Sequence, residues 1–313
     1  MQLRQTLLKI SLLLFLSGNF NIAHTQTTNN SVDVVPHWKK DDTHLVKINV
    51  TTDDGNSDNV KSSTYISSFD ARFQVTDFSD SGYIVEWVYT GVKLADNDPV
   101  LENQILAKLI NQKLIVRFSK VGKFIDIENA NNVKPATDKA IDDLVASTLS
   151  NPPLNMQYKA AKQIITSEQG LEAVILKHIK AYDLSFGYNY KLNYIQTNKM
   201  KFPNPLGGQP FDAVEKVQLT KLDSNTSTCV IETNKVIDGA AVKASVVDYL
   251  KKVSNADAET IDEEVAKVNL EISESTIHEI NYVKGIVQHS TFKRTMNLGF
   301  QNRTTIIETE LIN

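Results

Sequence analysis

Cysteine is almost absent from this sequence of 313 residues, because Cys229 is the only one. A single cysteine cannot form an internal disulfide, so a packed core must stabilise the folded chain. The sequence also lacks a block of basic residues, and its formal net charge is -4. A mildly acidic chain without a basic patch binds phosphate backbones poorly, which argues against nucleic acid as a partner.

The usual sequence signatures of catalysis and of metal binding are missing as well. There is no Gly-x-Ser-x-Gly segment, so the nucleophile elbow of a serine hydrolase is absent. Cys229 falls within a strand pattern, where a buried structural thiol is expected instead of a nucleophile. None of the histidines after residue 25 stands at a spacing typical of zinc sites: His37, His44, His178, His278 and His289. The sequence therefore predicts no catalytic residue, no metal and no cofactor.

The first residues follow the pattern of a secretory signal peptide. Arg4 and Lys9 precede a short apolar run at residues 10–16, and small residues follow at Ala23-His24-Thr25. The apolar run is far shorter than the ~20 residues that cross a bilayer. We therefore expect a signal peptide over residues 1–25 and no transmembrane segment in the mature chain.

Cleavage of the signal peptide would remove two basic residues and change the formal net charge from -4 to -6. Export without disulfides favours a bacterial envelope or secreted protein. No cysteine follows the apolar run, so we expect no lipid anchor. The predicted location is therefore periplasmic or secreted.

Hydrophobic alternation predicts long antiparallel strands in the first half of the chain. Residues 65–75 alternate with period two, residues 79–82 form a turn, and residues 83–89 return. The returning strand carries one apolar and aromatic face, made by Tyr83, Val85, Trp87 and Tyr89. A face of this kind either packs as core or lines a cavity.

Helices are predicted after this hairpin. Asp98 is expected to cap a first helix, a second is expected over residues 137–148, and a third over residues 168–182. The third helix carries His178 on its apolar stripe, where a hydrogen-bonded core histidine is the simplest interpretation. Asp238 is expected to cap a further helix.

In the second half, the strongest alternation lies at residues 186–194, where Tyr188 and Tyr190 share a predicted face with Phe186 and Tyr194. Hairpins are predicted for residues 217–233 and 276–296, and a last strand for residues 303–311. Residues 211–216 show little pattern.

The predicted organisation is a signal peptide at residues 1–25, a flexible leader at 26–36 and a single α+β domain at 37–313. The alternative is two related halves, at 37–183 and 184–313, because residues 73–78 and 217–222 have similar patterns and similar elements follow them. We expect a long, curved, half-barrel-like antiparallel sheet with helices packed on one face.

Three segments resemble a family of exported proteins of Gram-negative bacteria with no assigned activity. They are Trp38-Lys39-Lys40-Asp41, the returning strand at residues 81–87, and the loop Pro203-Asn204-Pro205-Leu206-Gly207-Gly208. The outline of the fold is similar to that of periplasmic lipoprotein carriers, which hold acyl chains in a half-open barrel. The resemblance implies a binding protein by analogy of fold.

Two non-enzymatic functions follow as alternatives from these observations, while an enzyme would need a pocket that joins His178 to a carboxylate, which the sequence does not reveal. The first is a non-enzymatic envelope protein that binds a lipid or other apolar ligand between sheet and helices, with residues 203–210 as a gate. Its predicted ligand-binding residues are Tyr83, Trp87, Tyr188, Tyr190 and His178. The second is an interaction or scaffolding protein of the envelope that has a protein partner and no small ligand.

Overall fold

The computed structural model describes residues 30–56, 63–96, 98, 100–147, 178–179, 185–202, 204, 209–253, 257–267, 270–298 and 301–312. The predicted signal peptide at residues 1–25, most of the third predicted helix and most of the 203–210 loop lie outside these residues. The strands of the first half are β1 (Ser31–Val34), β2 (Thr43–Asn56), β3 (Ser63–Ser79), β4 (Gly82–Lys93), β5 (Lys113–Phe118) and β6 (Phe124–Ile127).

The strands of the second half are β7 (Tyr188–Lys191), β8 (Ile195–Phe202), β9 (Phe211–Asp223), β10 (Thr228–Ile237), β11 (Leu270–Asn281), β12 (Ile286–Leu298) and β13 (Gln301–Ile312). The helices of the described chain are α1 (Leu101–Lys108), α2 (Ala130–Ser147), α3 (Gly239–Val253) and α4 (Ala258–Lys267). None of these helices is long and apolar enough to cross a membrane.

Eleven strands form one curved, open antiparallel sheet in the order β6-β5-β4-β3-β2-β13-β12-β11-β10-β9-β8. The chain enters this sheet in the middle, at β2, and proceeds outward through β3, β4 and β5 to the edge strand β6, with α1 between β4 and β5. It enters again at the opposite edge, β8, and steps back to β13. The predicted antiparallel sheet is therefore confirmed, whereas the packing of helices on a single face stays a prediction.

The two halves of the large sheet are joined by β2 and β13, which are its first and last strands along the sequence. β13 pairs with β2 from Gln301↔Asn56 to Ile312↔Leu45 without a register shift. Inward-facing Ile307 lies opposite Val50, and both are buried. Because a one-residue slip of either strand would turn its own buried side chain toward solvent, the apolar pattern fixes this register.

The prediction for residues 186–194 is wrong in the length of the strand and in which of its side chains share a buried face. β7 contains only residues 188–191 and pairs with β1 in a separate two-stranded sheet. Asn193 has a positive φ of 61° and ends the extended run, and Tyr194 is exposed. Asparagine tolerates the left-handed conformation, so the break leaves no mark in the apolar pattern.

Residues 211–216, which show little alternation, are the first half of β9. They pair with β8 and β10 on both sides, which supports a strand without strong local preference. The hairpins predicted at 217–233 and 276–296 are confirmed and extend further in both directions.

The helix boundaries differ from those predicted at two places. The N-cap of α1 is Val100, while Asp98 lies two residues earlier and accepts a hydrogen bond from the Val100 amide at 2.8 Å. α2 begins at Ala130 and contains Pro135, so it is longer than the segment predicted at 137–148. Asp238 caps α3 as predicted, since its carboxylate accepts the Ala240 amide at 2.9 Å.

The segment predicted as a flexible leader is ordered where the structure describes it. β1 lies within residues 26–36, and its Val32 and Val34 are fully buried. Antiparallel pairing with β7 and burial of two side chains outweigh the weak local pattern of this segment.

Trp38 connects both halves of the sheet at one end. Its ring makes edge contacts with four aromatic rings at centroid distances between 5.0 and 5.8 Å: Phe73 of β3, Tyr83 of β4, Phe118 of β5, and Phe186. Its indole nitrogen donates to the Gly285 carbonyl at 2.7 Å, in the turn between β11 and β12. One side chain thus joins strands β3–β5 to the opposite half of the molecule.

Gly285 makes this contact possible because it leaves room for the backbone. It has a φ of 64°, and a Cβ atom there would lie 2.4 Å from the Val35 carbonyl oxygen. Any other residue would both strain the turn and push residues 35–37 away.

We expect Gly285→Ala to lower the free energy of unfolding by about 2 kcal/mol or more, because strain and overlap add. Gly55→Ala is the matched control, since a Cβ at Gly55 would lie 3.7 Å from the nearest atom, an ordinary contact. Urea unfolding followed by tryptophan fluorescence measures both changes. Equal effects of the two substitutions would contradict the proposed approach of the turn to the backbone at Val35.

Candidate functional site

Tyr83 and Trp87, two of the predicted ligand-binding residues, lie in the aromatic core. Trp87 is fully buried, and Tyr83 contacts Trp38 and Phe78. The Tyr83 hydroxyl donates to the Pro36 carbonyl at 3.3 Å, and burial raises the pKa of this phenol. Both side chains therefore pack as core here, and ligand binding by them stays a prediction.

His178 is also buried, in a helical segment at residues 178–179. Its Nδ1 lies 3.1 Å from the Tyr89 hydroxyl, and its ring is 5.1 Å from that of Phe69. Burial of Tyr89 raises the pKa of its phenol, so the phenol stays protonated. His178 is therefore hydrogen-bonded to β4 and packs against β3. This agrees with its interpretation as a hydrogen-bonded core histidine.

Tyr188 and Tyr190 line a pocket of about 230 Å³. Strands β8 and β9 contribute the neighbouring pairs Gln196–Val217 and Asn198–Glu215, while Phe124 begins β6 and Lys123 directly precedes it in the turn after β5. Because β6 and β8 are the two edges of the large sheet, the pocket lies at the gap where the curved sheet fails to close. We call these eight residues the seam pocket.

Within the seam pocket, the two tyrosines have different environments. Tyr190 is buried and donates to the Ser185 carbonyl at 3.1 Å, and burial raises its pKa. Tyr188 is 47% exposed, and the Lys123 ammonium lies 3.9 Å from its ring centroid. The pocket therefore combines one fixed ring, one accessible ring and a cation.

A row of alternating charges leads away from the pocket across β9, β10, β11 and β12. Lys235 lies 3.8 Å from the carboxylate of Glu215 and 3.6 Å from that of Glu274. Arg294 Nε donates to Glu274 at 2.7 Å. We call Glu215, Lys235, Glu274 and Arg294 the charged row, and within it each carboxylate has a cationic neighbour.

The sequence predicts only two of the eight residues of the seam pocket. Tyr188 and Tyr190 are predicted from the alternation of aromatic residues. The other six residues carry no sequence signal, because residues such as Phe124 and Asn198 come together only when β6 and β8 approach across the gap.

A buried serine and histidine also lie in contact, since the Ser185 hydroxyl is hydrogen-bonded to Nδ1 of His278. Both residues are 1% exposed, so a substrate cannot reach the hydroxyl in this arrangement. Nε2 of His278 has no hydrogen-bond partner in the part of the chain that the structure describes. Burial raises the pKa of Cys229 to about 12, which keeps this thiol protonated at neutral pH.

No group of three or more His, Cys, Asp and Glu side chains that could hold a metal ion occurs among the described residues.

We expect the stability of the protein to decrease as pH falls from about 6.5 to about 4. Burial lowers the pKa of His278 from its ordinary value of 6.5 to about 4, so in this interval the unfolded chain takes up a proton that the folded chain does not. This linkage is worth on the order of 3 kcal/mol. Unfolding in urea at several pH values measures it.

His278→Gln should flatten the pH dependence in this interval, even if the variant is less stable throughout. His289→Gln is the matched control, because His289 is exposed and lies on the neighbouring strand β12. An unchanged slope in the His278 variant would show that burial of this imidazole does not produce the effect.

No protein-family model matches the chain, and no curated protein matches it. The resemblance to exported proteins of Gram-negative bacteria therefore stays a prediction.

Solved structures show low similarity to the chain. One, described as lipid–protein interactions in lipovitellin, has a TM-score of 0.45 and 12% identity over 88% of this chain and 25% of that chain. DynF from the dynemicin pathway of Micromonospora chersina has a TM-score of 0.20 and 6% identity over 92% of this chain and 91% of that chain. The ywiB protein of Bacillus subtilis has a TM-score of 0.13 and 6% identity over 87% of this chain and 94% of that chain.

The chain thus spans a quarter of the lipovitellin chain. Similarities of this size carry no information about its ligand.

Proposed function

We propose that the protein is an exported, non-enzymatic binding protein that takes an apolar ligand, or the apolar part of an amphiphile, into the seam pocket. The observation that carries this proposal is the pocket itself. Its aromatic and aliphatic side chains, Tyr188, Tyr190, Phe124 and Val217, stand beside amide and charged groups. An apolar lining with a few polar groups is typical of small-molecule sites.

The size of the pocket limits the ligand. Its volume of about 230 Å³ lies below the ~300–1,000 Å³ common for sites that enclose a drug-sized molecule. A single ring or one end of a longer chain fits this space, whereas a whole lipid does not. The proposed ligand therefore lies in the gap between β6 and β8. The sequence predicted it in the space between sheet and helices.

The proposed absence of catalysis rests on the chemistry of the nucleophile candidates. Ser185 and His278 are inaccessible in the folded chain, and the Cys229 thiol is protonated and buried. Export is proposed from the signal-peptide pattern of residues 1–25.

Native mass spectrometry of the protein purified after export tests the proposal. We expect a bound small molecule in the wild type and at least about a tenfold lower bound fraction in Tyr188→Ala, because one wall of the pocket is lost. Tyr188 is the better target, since Tyr190 is buried and its substitution would disturb the core.

Tyr194→Ala is the matched control, because Tyr194 is exposed and does not line the pocket. It should retain the bound mass. A wild-type protein without any bound molecule would contradict the proposal and favour the scaffolding function. A mass retained equally by both variants would place the ligand elsewhere.

A further inference from the structure

The two charged residues that line the seam pocket, Glu215 and Lys123, differ in their ion-pair partners. Glu215 accepts a hydrogen bond from Asn198 at 3.3 Å and lies 3.8 Å from Lys235. Lys123, the other charged residue of the lining, contacts the Tyr188 ring and makes no ion pair within the described residues. The uncompensated charge of the pocket is therefore positive.

The charged row does not change this balance. Beyond Glu215, Lys235 and Arg294 both contact the buried Glu274, so the two cations and two carboxylates of the row neutralise each other. A ligand cation at Glu215 would compete with Lys235, which is itself 14% exposed and held between two carboxylates. A ligand anion at Lys123 has no such competitor.

The structure also holds Lys123 in place before any ligand arrives. Its backbone carbonyl accepts the Ser119 amide at 2.7 Å, and its own amide donates to the Ser119 hydroxyl at 3.1 Å. Gly187, with a φ of 81°, leaves space for the lysine stem, since a Cβ there would lie 2.8 Å from Lys123 Cε. A side chain fixed in advance loses less entropy when it binds a ligand.

We propose that the seam pocket selects an amphiphilic anion, with its carboxylate or phosphate group on Lys123 and its apolar part against Tyr188, Tyr190 and Phe124. This inference rests on the proposed binding function and specifies its ligand class. One face of the ammonium lies against the Tyr188 ring, and its remaining N–H donors are available to an anionic oxygen. The amide group of Gln196 lies in the same lining and can donate a second hydrogen bond.

Four probes with the same chain and different head groups test this proposal: octanoate, octyl phosphate, octanol and octylammonium. Isothermal titration calorimetry on the mature protein at low ionic strength measures each affinity. We expect at least one of the two anions to bind about tenfold or more tightly than octanol, and the preference to weaken as salt is added. Which anion binds more tightly distinguishes a carboxylate from a phosphate ligand.

Lys123→Gln should reduce the preference for the anion over octanol to about twofold or less while octanol binding persists. Lys123→Arg keeps the charge and should keep the preference. Lys120→Gln is the matched control, because Lys120 lies in the same turn but pairs with Asp80 outside the pocket.

The outcomes separate the two proposals. Binding of octanol as tight as that of both anions, or tighter binding of octylammonium, would overturn the anion selectivity and leave the binding function standing. An anion preference that survives Lys123→Gln would overturn the assignment of Lys123. Failure of all four probes to bind would contradict both proposals.

Discussion

The contact between Trp38 and the β11–β12 turn is the constraint on which the rest of the structure depends. Its hydrogen bond to Gly285 spans 247 residues of sequence, and its ring touches aromatic side chains of β3, β4 and β5. An open sheet of eleven strands has no closure of its own. Trp38 and the buried Val32 and Val34 of β1 pack in one apolar core with side chains from both halves of the sheet.

The position of the proposed binding site follows from this arrangement. Because β6 and β8 remain unpaired with each other, the curved sheet leaves a gap, and the small sheet of β1 and β7 lies beside it. The N-terminal segment that contributes Trp38 also contributes β1. β1 pairs with β7, so the same short stretch of chain carries Trp38 and positions Tyr188 and Tyr190 of the pocket.

Buried polar groups add specificity to a core that is otherwise apolar. Asp98 accepts hydrogen bonds from Ser67, Asn103 and the Val100 amide, and so fixes the approach to α1 over β3. The charged row does the same on the other half, where a shifted register would leave Glu274 without Arg294. Polar groups of this kind penalise alternative pairings because an unpaired buried charge is costly.

The sequence by itself determined the elements with strong local signals. Alternation predicted the hairpins of β3–β4 and β11–β12, and Asp238 predicted the start of α3, because side-chain spacing and capping act within a few residues. The same alternation predicts Tyr188 and Tyr190, whereas the short β7 and the strand β1 are not predicted by it. Only the tertiary structure decided that Lys123 and Glu215 share a pocket, because their meeting depends on how far an open sheet curves. Contacts such as the hydrogen bond from Trp38 to the Gly285 carbonyl join residues that are far apart in sequence and carry no periodic signal.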